Sequence, residues 1–232
     1  MSTRLKTTFA ILDDHPILRR GLSALLDSEP GFEVVAQFDR AEELLHDQAR
    51  KGVDVIIADI SLPGMSGLEL IKHLVARDPE VVVIVISRHD ELLYAERAIR
   101  AGAKGYLMKL EASEVLIRAV RKVLNGGIYL SDRVSEKLLM GMAYGGKIGG
   151  HSPVEQLSDR ELEVFELTGQ GNTTRHIADQ LHLSVKTVES YRARIKAKLN
   201  LESATELMVH AVKWVQQEKP EAVSETGDGS RP

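Results

Sequence analysis

The chain has 232 residues, enough for two small domains, and is 43% hydrophobic but only 4% aromatic, so its cores must be mainly aliphatic. A formal net charge of −4 argues against a protein that coats nucleic acid over its whole surface. The absence of cysteine excludes disulfides, zinc–thiolate sites and thiol nucleophiles.

The N-terminal stretch MSTRLKTTFAILDD is not typical of a secretory signal, because its apolar part is short and ends in acids. No apolar run approaches the length needed to cross a membrane. We therefore expect a soluble, cytoplasmic protein that does not contact membranes.

Short apolar runs alternate with helical stretches from residue 8 to about residue 125. The runs are rich in Val and Ile, as parallel strands covered on both faces are: FAILDD, FEVVAQF, VDVIIADI, VVVIVIS and KGYLMK. Between them, apolar residues recur at helical spacing, for example Leu18, Leu22 and Leu25. Five strand–helix repeats predict a doubly wound α/β domain with a parallel sheet over residues 8–125.

The remaining chain divides into three parts. Residues 126–156 combine glycine-rich breakers with the amphipathic stretch DRVSEKLLMGMAY, which predicts a partly helical linker. Residues 157–217 have helical patterns separated by turn signals, which predicts an all-α domain. Residues 218–232 contain little that can be buried, so we expect a disordered tail.

Polar residues follow four of the predicted strands. Because the carboxyl ends of parallel strands lie at one edge of the sheet, these side chains should converge. They are Asp13, Asp14, Asp59, Ser87 and Lys109. Three carboxylates together need a cation, and Mg²⁺ prefers such oxygen ligands. A carboxylate nucleophile, a lysine, a hydroxyl and a metal ion together suit phosphoryl transfer.

Each acid also has a simpler interpretation. Asp14 precedes Pro16 and is a candidate helix cap, and Asp59 is a candidate start for the turn LPGMSG. Their joint occurrence at strand ends favours a site over separate caps. We assign His15 no catalytic role and interpret it as a loop residue beside the acids.

The motifs DDHP, ADISLPGMSG, VIVIS and AGAKGYLMK resemble the receiver domain of two-component response regulators, which has a flavodoxin-like fold. The resemblance implies that Asp59 accepts a phosphoryl group from a sensor histidine kinase. It also implies a Mg²⁺ site formed by Asp13, Asp14, Asp59 and the backbone carbonyl of Ser61.

The same resemblance assigns Ser87 and Lys109 to the phosphoryl oxygens and makes Tyr106 a switch aromatic. The alternative for Tyr106 is a half-buried aromatic on an edge strand. Leu110 departs from the family pattern, because many receivers have proline after the lysine.

The pattern of the second half predicts a helix-turn-helix. In LSDRELEV, Ser158 and Glu161 form a candidate capping box that starts the first helix of this domain. The stretch TTRHIADQL predicts a short helix, LHLS a tight turn, and SVKTVESYRARIKAKL a longer helix that Ser184 caps. The longer helix is the candidate recognition helix.

The recognition helix is locally basic. Residues 184–199 contain Glu189 as their only acid, together with five bases: Lys186, Arg192, Arg194, Lys196 and Lys198. This pattern suits contact with DNA phosphates, although an ordinary solvated helix face is the alternative.

The segments LSDRELEV, IADQL, LSVKTVESYRARIKAKL and LESATEL resemble the LuxR-type helix-turn-helix of NarL/FixJ-class response regulators. The resemblance places four residues towards the major groove: Lys186, Glu189, Ser190 and Ala193. It implies mostly backbone contacts for Thr187, Tyr191, Arg194 and Lys198. Glu189 replaces a lysine found in many relatives, which leaves the base preference open. The helix from Ala204 to Val215 resembles the family's dimerisation helix, although its apolar residues suit a core equally well.

Together these patterns predict a phosphorylation-controlled transcription regulator rather than an enzyme. Phosphorylation would favour a homodimer that binds inverted DNA half-sites. One alternative is a DNA-binding regulator with a vestigial receiver site. The intact acids argue against it. An aspartyl-phosphate phosphatase would show a D-x-D signature, and a ligand-gated sensor would show an aromatic-rich pocket. Neither signal is present in the sequence.

Overall fold

The computed structural model describes residues 6–46, 52–143 and 153–218. The chain forms two compact units, Met1–Ser152 and Pro153–Pro232, each with its own internal packing. The predicted disordered tail lies outside the described residues from 219 onwards, and Glu218 ends a helix. No helix in the described ranges is long and apolar enough to cross a membrane.

The first unit contains a parallel sheet with strand order β2-β1-β3-β4-β5. The strands are β1 (Thr7–Leu12), β2 (Phe32–Phe38), β3 (Val55–Ala58), β4 (Val82–Ser87) and β5 (Gly105–Met108). β3 is buried at every residue and β4 at all but its first, as their unbroken apolar runs predict. The predicted doubly wound, flavodoxin-like fold is confirmed.

Helices flank the sheet and supply the other half of its core. They are α1 (Pro16–Asp27), α2 (Ala41–His46), α3 (Gly67–Arg77), α4 (Glu91–Ala101) and α5 (Ala112–Leu124). The apolar stripe of α1 buries Leu22 and Leu26, and α5 buries Leu116 and Val120. These residues pack on the aliphatic side chains of the central strands. This packing holds the carboxyl ends of the strands at one edge, where the polar residues follow.

The segment after α5 adds to the edge of the sheet. Tyr129 forms an isolated parallel bridge with Gly105 of β5, and its carbonyl accepts a hydrogen bond from the Tyr106 amide at 3.0 Å. A further helix, α6 (Asp132–Ala143), packs on α4, where Lys137 Nζ donates to the Leu92 carbonyl at 3.2 Å. The first part of the predicted linker, 126–156, therefore packs on the first unit.

The second unit begins with a 3₁₀ turn (Pro153–Gln156) and continues with α7 (Asp159–Gly169), α8 (Thr174–Gln180), α9 (Val185–Leu199) and α10 (Ala204–Glu218). Ser158 and Glu161 form the predicted capping box of α7, and Ser184 caps α9 by accepting from the Thr187 amide at 3.0 Å. The predicted helices of this unit and their serine caps are confirmed.

Helices α7 and α10 cross closely at Gly169. A Cβ built on Gly169 would lie 2.4 Å from the Ala211 carbonyl oxygen of α10, closer than atoms can approach. Nearby, Phe165 packs against Trp214 with ring centroids 5.5 Å apart. The absence of a side chain at residue 169 therefore allows α7 and α10 to approach at this level.

We predict that Gly169→Ala destabilises the second unit by about 1 to 3 kcal/mol, because the added methyl forces backbone apart. Trp214 is the only tryptophan of the chain and is 8% exposed, so its fluorescence reports the unfolding of this unit. Gly141→Ala is the matched control, since a Cβ at Gly141 meets no atom within 4 Å. The control should leave the tryptophan transition unchanged. A Gly169→Ala transition equal to wild type would contradict the crossing described above.

Candidate functional site

The predicted acids converge at the carboxyl edge of the sheet. Asp13 and Asp14 follow β1, and Asp59 follows β3. One ligand atom from each of these residues and from His15 lies within 4.8 Å of the others. Asp13 and Asp59 are only 1% and 2% exposed. The cap residue of α1 is His15, which makes no side-chain cap bond, so the carboxylate of Asp14 is not the helix cap.

Lys109 provides the positive charge of this cluster. Its Nζ lies 2.7 Å from Asp59 Oδ2 and 2.8 Å from Asp13 Oδ2, and its side chain is 8% exposed. The Lys109 amide donates to the Ser87 carbonyl at 2.7 Å, which continues the pairing of β4 and β5. One ammonium therefore faces two buried carboxylates from different strands.

The charges around Asp59 favour the binding of a cation in addition to the Lys109 ammonium. Burial raises the pKa of Asp59 from 3.8 to about 6, opposed by Lys109 and aided by the neighbouring charge of Asp13. The donor set consists of carboxylate oxygens, which fits a hard divalent ion such as Mg²⁺. Such an ion would favour the ionised form of Asp59.

The predicted switch residues contact one another through His89, which sequence reasoning missed. The Ser87 hydroxyl is buried and accepts a hydrogen bond from the His89 amide at 3.1 Å. Tyr106 is 2% exposed, and its hydroxyl donates to the His89 carbonyl at 2.9 Å. The His89 ring nitrogen Nε2 lies 2.7 Å from Ser61 Oγ. The loop after β4 is thereby joined to the loop that follows Asp59.

The loop after Asp59 is held by close packing. A Cβ on Gly67 would lie 2.1 Å from the Asp59 carbonyl oxygen, so only glycine fits there. The Ser61 amide donates to Asp59 Oδ1 at 3.2 Å, which is also the turn interaction expected of an aspartate at this position. Glu42 of α2 accepts from the Met65 amide at 3.1 Å. The sequence does not predict this contact of Glu42, because its partner Met65 is 23 residues away.

The exposed face of α9 includes the residues predicted to approach the major groove: Lys186, Glu189, Ser190 and Ala193. Val188 and Ile195 are fully buried on its opposite face, and Thr187 and Tyr191 are half-buried between the two faces. The helix therefore presents one polar surface and one core surface.

The basic side chains of α9 differ in their contacts. The Arg194 guanidinium lies 5.1 Å from the centroid of the Tyr191 ring and remains exposed. Lys198 Nζ instead lies 2.6 Å from Glu161 Oε2 and 3.1 Å from the Gln156 carbonyl oxygen. Burial opposes ionisation of Glu161, but hydrogen bonds from Lys198 and Ser158 hold its pKa below the usual range. Lys198 thus takes part in the capping of α7.

The predicted dimerisation helix, observed as α10, divides between core and surface. Leu207 and Ala211 are buried, and Met208 is 43% exposed. Val215 is half-buried. The core interpretation holds for the first two residues.

Comparison with known proteins identifies both halves of the chain. Residues 9–121 match the response regulator receiver domain, and residues 155–211 match the luxR family of bacterial regulatory proteins. The transcriptional regulatory protein UhpA of Salmonella typhimurium is 39% identical over 200 residues, covering 86% of this chain and 95% of UhpA. DegU of Brevibacillus brevis is 33% identical over 225 residues, covering 90% of this chain and 95% of DegU.

A solved structure shows the same organisation. RcsB from Salmonella enterica serovar Typhimurium, bound to promoter P1flhDC in the presence of the phosphomimetic BeF₃⁻, matches with a TM-score of 0.54 and 26% identity. The match covers 89% of this chain and 99% of RcsB. The relatives are transcriptional regulators rather than enzymes, as the sequence predicts.

We predict that Asp59 controls how stability depends on pH in the cation-free protein. Its folded pKa is raised, so its contribution to stability is full below pH 3.8 and is lost as pH rises through about 6. The free energy of unfolding of wild type relative to Asp59→Asn should therefore fall by about 2 kcal/mol between about pH 4 and about pH 8. Chemical denaturation followed by circular dichroism measures this difference.

Saturating Mg²⁺ should reduce that fall, because an ion that binds the carboxylate offsets its desolvation. Asp78→Asn is a suitable control, since Asp78 is an exposed residue at the end of α3. A wild-type curve parallel to that of Asp59→Asn at all pH values would contradict the raised pKa.

Proposed function

Because the chain belongs to the response regulators that join a receiver domain to a LuxR-type DNA-binding domain, we propose that it is a transcription regulator controlled by phosphorylation of Asp59. The observation that carries this proposal is the buried pair of Asp59 and Lys109, 2.7 Å apart, within the cluster of acids. The phosphoryl donor is a sensor histidine kinase, and the protein acts in the cytoplasm.

The chemistry follows from the positions of the side chains. Asp59 Oδ attacks phosphorus and forms an acyl phosphate as the nitrogen–phosphorus bond of the kinase phosphohistidine breaks. Lys109 neutralises charge on the phosphoryl oxygens, and the Ser87 hydroxyl donates to one of them. Asp13, Asp14, Asp59 and the Ser61 carbonyl would hold Mg²⁺, which supplies further charge neutralisation.

The switch uses hydrogen bonds already formed in the structure. Here the His89 amide donates to the Ser87 hydroxyl. To donate to a phosphoryl oxygen, this hydroxyl must turn towards the phosphoryl group, and the turn alters its hydrogen bond with the His89 amide. Tyr106 also binds His89, so movement of this loop alters the surroundings of the ring. Phosphorylation thereby shifts an equilibrium between two arrangements of the loop after β4.

The second unit binds DNA through α9. A related regulator, RcsB, has been solved on a promoter fragment, and the exposed polar face of α9 supports the same role here. Lys186, Glu189, Ser190 and Ala193 face the major groove, where a glutamate accepts from cytosine N4. Thr187, Tyr191, Arg194 and Lys198 contact the backbone. A homodimer presents two such helices to inverted half-sites about one DNA turn apart.

We predict that Asp59→Asn abolishes labelling by a small phosphodonor such as acetyl phosphate in the presence of Mg²⁺, because the amide is not a nucleophile for phosphorus. Mass spectrometry of the intact chain measures the added phosphoryl group, and Asp78→Asn should label as wild type does. Labelling of Asp59→Asn at the wild-type level would overturn the site. A wild-type chain that binds its DNA equally well with and without label would instead support a phosphorylation-independent regulator.

We predict that Arg194→Ala weakens binding to a random-sequence DNA duplex and lowers the slope of log affinity against log salt by about 1, because one phosphate contact is lost. Lys198→Ala should weaken binding less, because its ammonium must leave Glu161 before it can reach a phosphate. It should also lower the midpoint of the Trp214 unfolding transition. Fluorescence anisotropy over a salt series measures both slopes.

Arg100→Ala makes the same charge change on α4, where Arg100 pairs with Glu96, and should leave the salt slope unchanged. Equal affinities for Arg194→Ala and wild type at every salt concentration would remove α9 as the phosphate-contacting helix.

A further inference from the structure

Arg192 is a base of the candidate recognition helix α9 that takes no part in the function described so far. Its guanidinium is half-buried, and Nη1 donates to Oγ1 of Thr174, at the start of α8, at 2.7 Å. The two residues are 18 positions apart in the chain. Their contact therefore joins the two helices of the helix-turn-helix.

The half-buried guanidinium of Arg192 has no carboxylate partner among the described residues. Two other bases of this unit are paired with acids. Arg160 Nη1 lies 2.5 Å from Glu163 Oε2. Lys198 Nζ lies 2.6 Å from Glu161 Oε2. Removing a cation from water is costly unless an anion or hydrogen bonds replace the lost solvent, and one neutral hydroxyl satisfies only part of a guanidinium. The position of Arg192 therefore suits an anion that another molecule supplies.

The Thr174 hydroxyl offers a second donor at the same place. Because its oxygen accepts from Arg192, its hydrogen is directed away from the guanidinium. In the part of the chain that the structure describes, no residue accepts that hydrogen. A guanidinium and a hydroxyl that meet in this way can donate to the oxygens of one phosphate group.

Arg192 lies on the flank of α9 that faces α8, and Arg194 lies on the opposite flank. Successive residues of an α-helix are turned by about 100°, so these two residues are separated by about 160° around the axis. The exposed face between them includes Glu189 and Ala193. A helix in the major groove lies between two phosphate backbones, and the first helix of a helix-turn-helix crosses one of them. The Arg192 flank therefore suits the backbone that α8 crosses, and the Arg194 flank suits the other.

We propose that Arg192 and Thr174 form a binding site for one DNA backbone phosphate, on the strand opposite to the one that Arg194 contacts. The guanidinium and the hydroxyl both donate to the phosphate oxygens. The proposal rests on the DNA binding of the proposed function and adds the second strand to it. Contacts with both strands hold α9 from both sides of the major groove and so fix its register on the duplex.

A purely structural role of Arg192 predicts a different result. If the guanidinium only joins α8 to α9, a neutral side chain that keeps an N–H donor serves equally well. If it binds phosphate, loss of its charge releases one counterion fewer on DNA binding, whatever hydrogen bonds remain. The slope of log affinity against log salt therefore distinguishes the two roles.

The experiment measures binding of the full chain to a random-sequence DNA duplex by fluorescence anisotropy over a salt series. We expect Arg192→Gln to lower the salt slope by about 1 and the affinity by about tenfold at about 0.1 M salt, whereas Arg192→Lys should retain the wild-type slope. Combining Arg192→Gln with Arg194→Ala should lower the slope by about 2, because the two bases contact different phosphates. Arg100→Gln makes the same charge change on α4 and should leave the slope unchanged.

Substitutions of Thr174 test the neutral half of the site. Thr174→Val removes the hydroxyl but keeps the shape of the side chain, so the affinity should fall by about three- to tenfold with no change in slope. Thr174→Ser keeps the hydroxyl and should bind as wild type does. The unfolding transition of the buried Trp214 shows whether this unit is folded in each variant.

Three results would overturn the proposal: a wild-type slope for Arg192→Gln, a wild-type affinity for Thr174→Val, or a double variant with the slope of either single variant. Arg194→Ala separates this failure from that of the proposed function. If Arg194→Ala lowers the slope and Arg192→Gln does not, only the contact with the second strand is wrong. If wild type does not bind the duplex, or neither substitution changes the slope, the DNA-binding role of α9 is wrong and the site at Arg192 falls with it.

Discussion

Asp13 and Asp59 face each other across neighbouring strands with the ammonium of Lys109 between them. Two buried carboxylates repel, and each is costly to desolvate, so the arrangement is tolerable because one cation is shared by both. The raised pKa of Asp59 shows that one lysine does not fully offset burial and the charge of Asp13. This residual imbalance is the physical basis for the divalent ion and the phosphoryl group that we propose at this edge of the sheet.

The loops after β3 and β4, which lie beside this pair, make different contacts. The loop after β3 holds Asp59 through glycine-dependent packing at Gly67, and the loop after β4 carries Ser87, Arg88 and His89. His89 contacts the first of these loops, and Arg88 contacts the loop after β1. A few hydrogen bonds therefore connect the loop after Asp59 with the loop after β4 and, through Tyr106, with β5.

The segment that leaves the receiver is part of the same edge. Tyr129 binds β5 next to Tyr106, and α6 packs on α4, which begins just after His89. The strand that carries Tyr106 and the helix that follows His89 are thus in contact with the start of the predicted linker. In the second unit, Lys198 connects the candidate recognition helix to the capping box of α7, so the proposed DNA contact and the capping of α7 involve the same side chain.

Local patterns in the sequence determined the elements and most of the candidate site. Apolar runs and helical spacing predicted the five strands and the helices of both units, because burial imposes these periods directly on the chain. The helix caps Ser158 and Ser184 could also be predicted from the sequence, since a cap depends on a residue three positions away. The convergence of Asp13, Asp59 and Lys109 was predictable from the parallel topology alone.

Only the tertiary structure decided which side chains meet. The contacts of His15 with Arg88, His89 with Ser61, Lys198 with Glu161 and Tyr129 with Gly105 join residues between 24 and 73 positions apart. Each depends on loop conformation and side-chain rotamer, which composition and periodicity do not encode. Asp14 illustrates the division: its place beside a strand end was predictable, but the structure was needed to show that His15, and not Asp14, is the cap residue of α1.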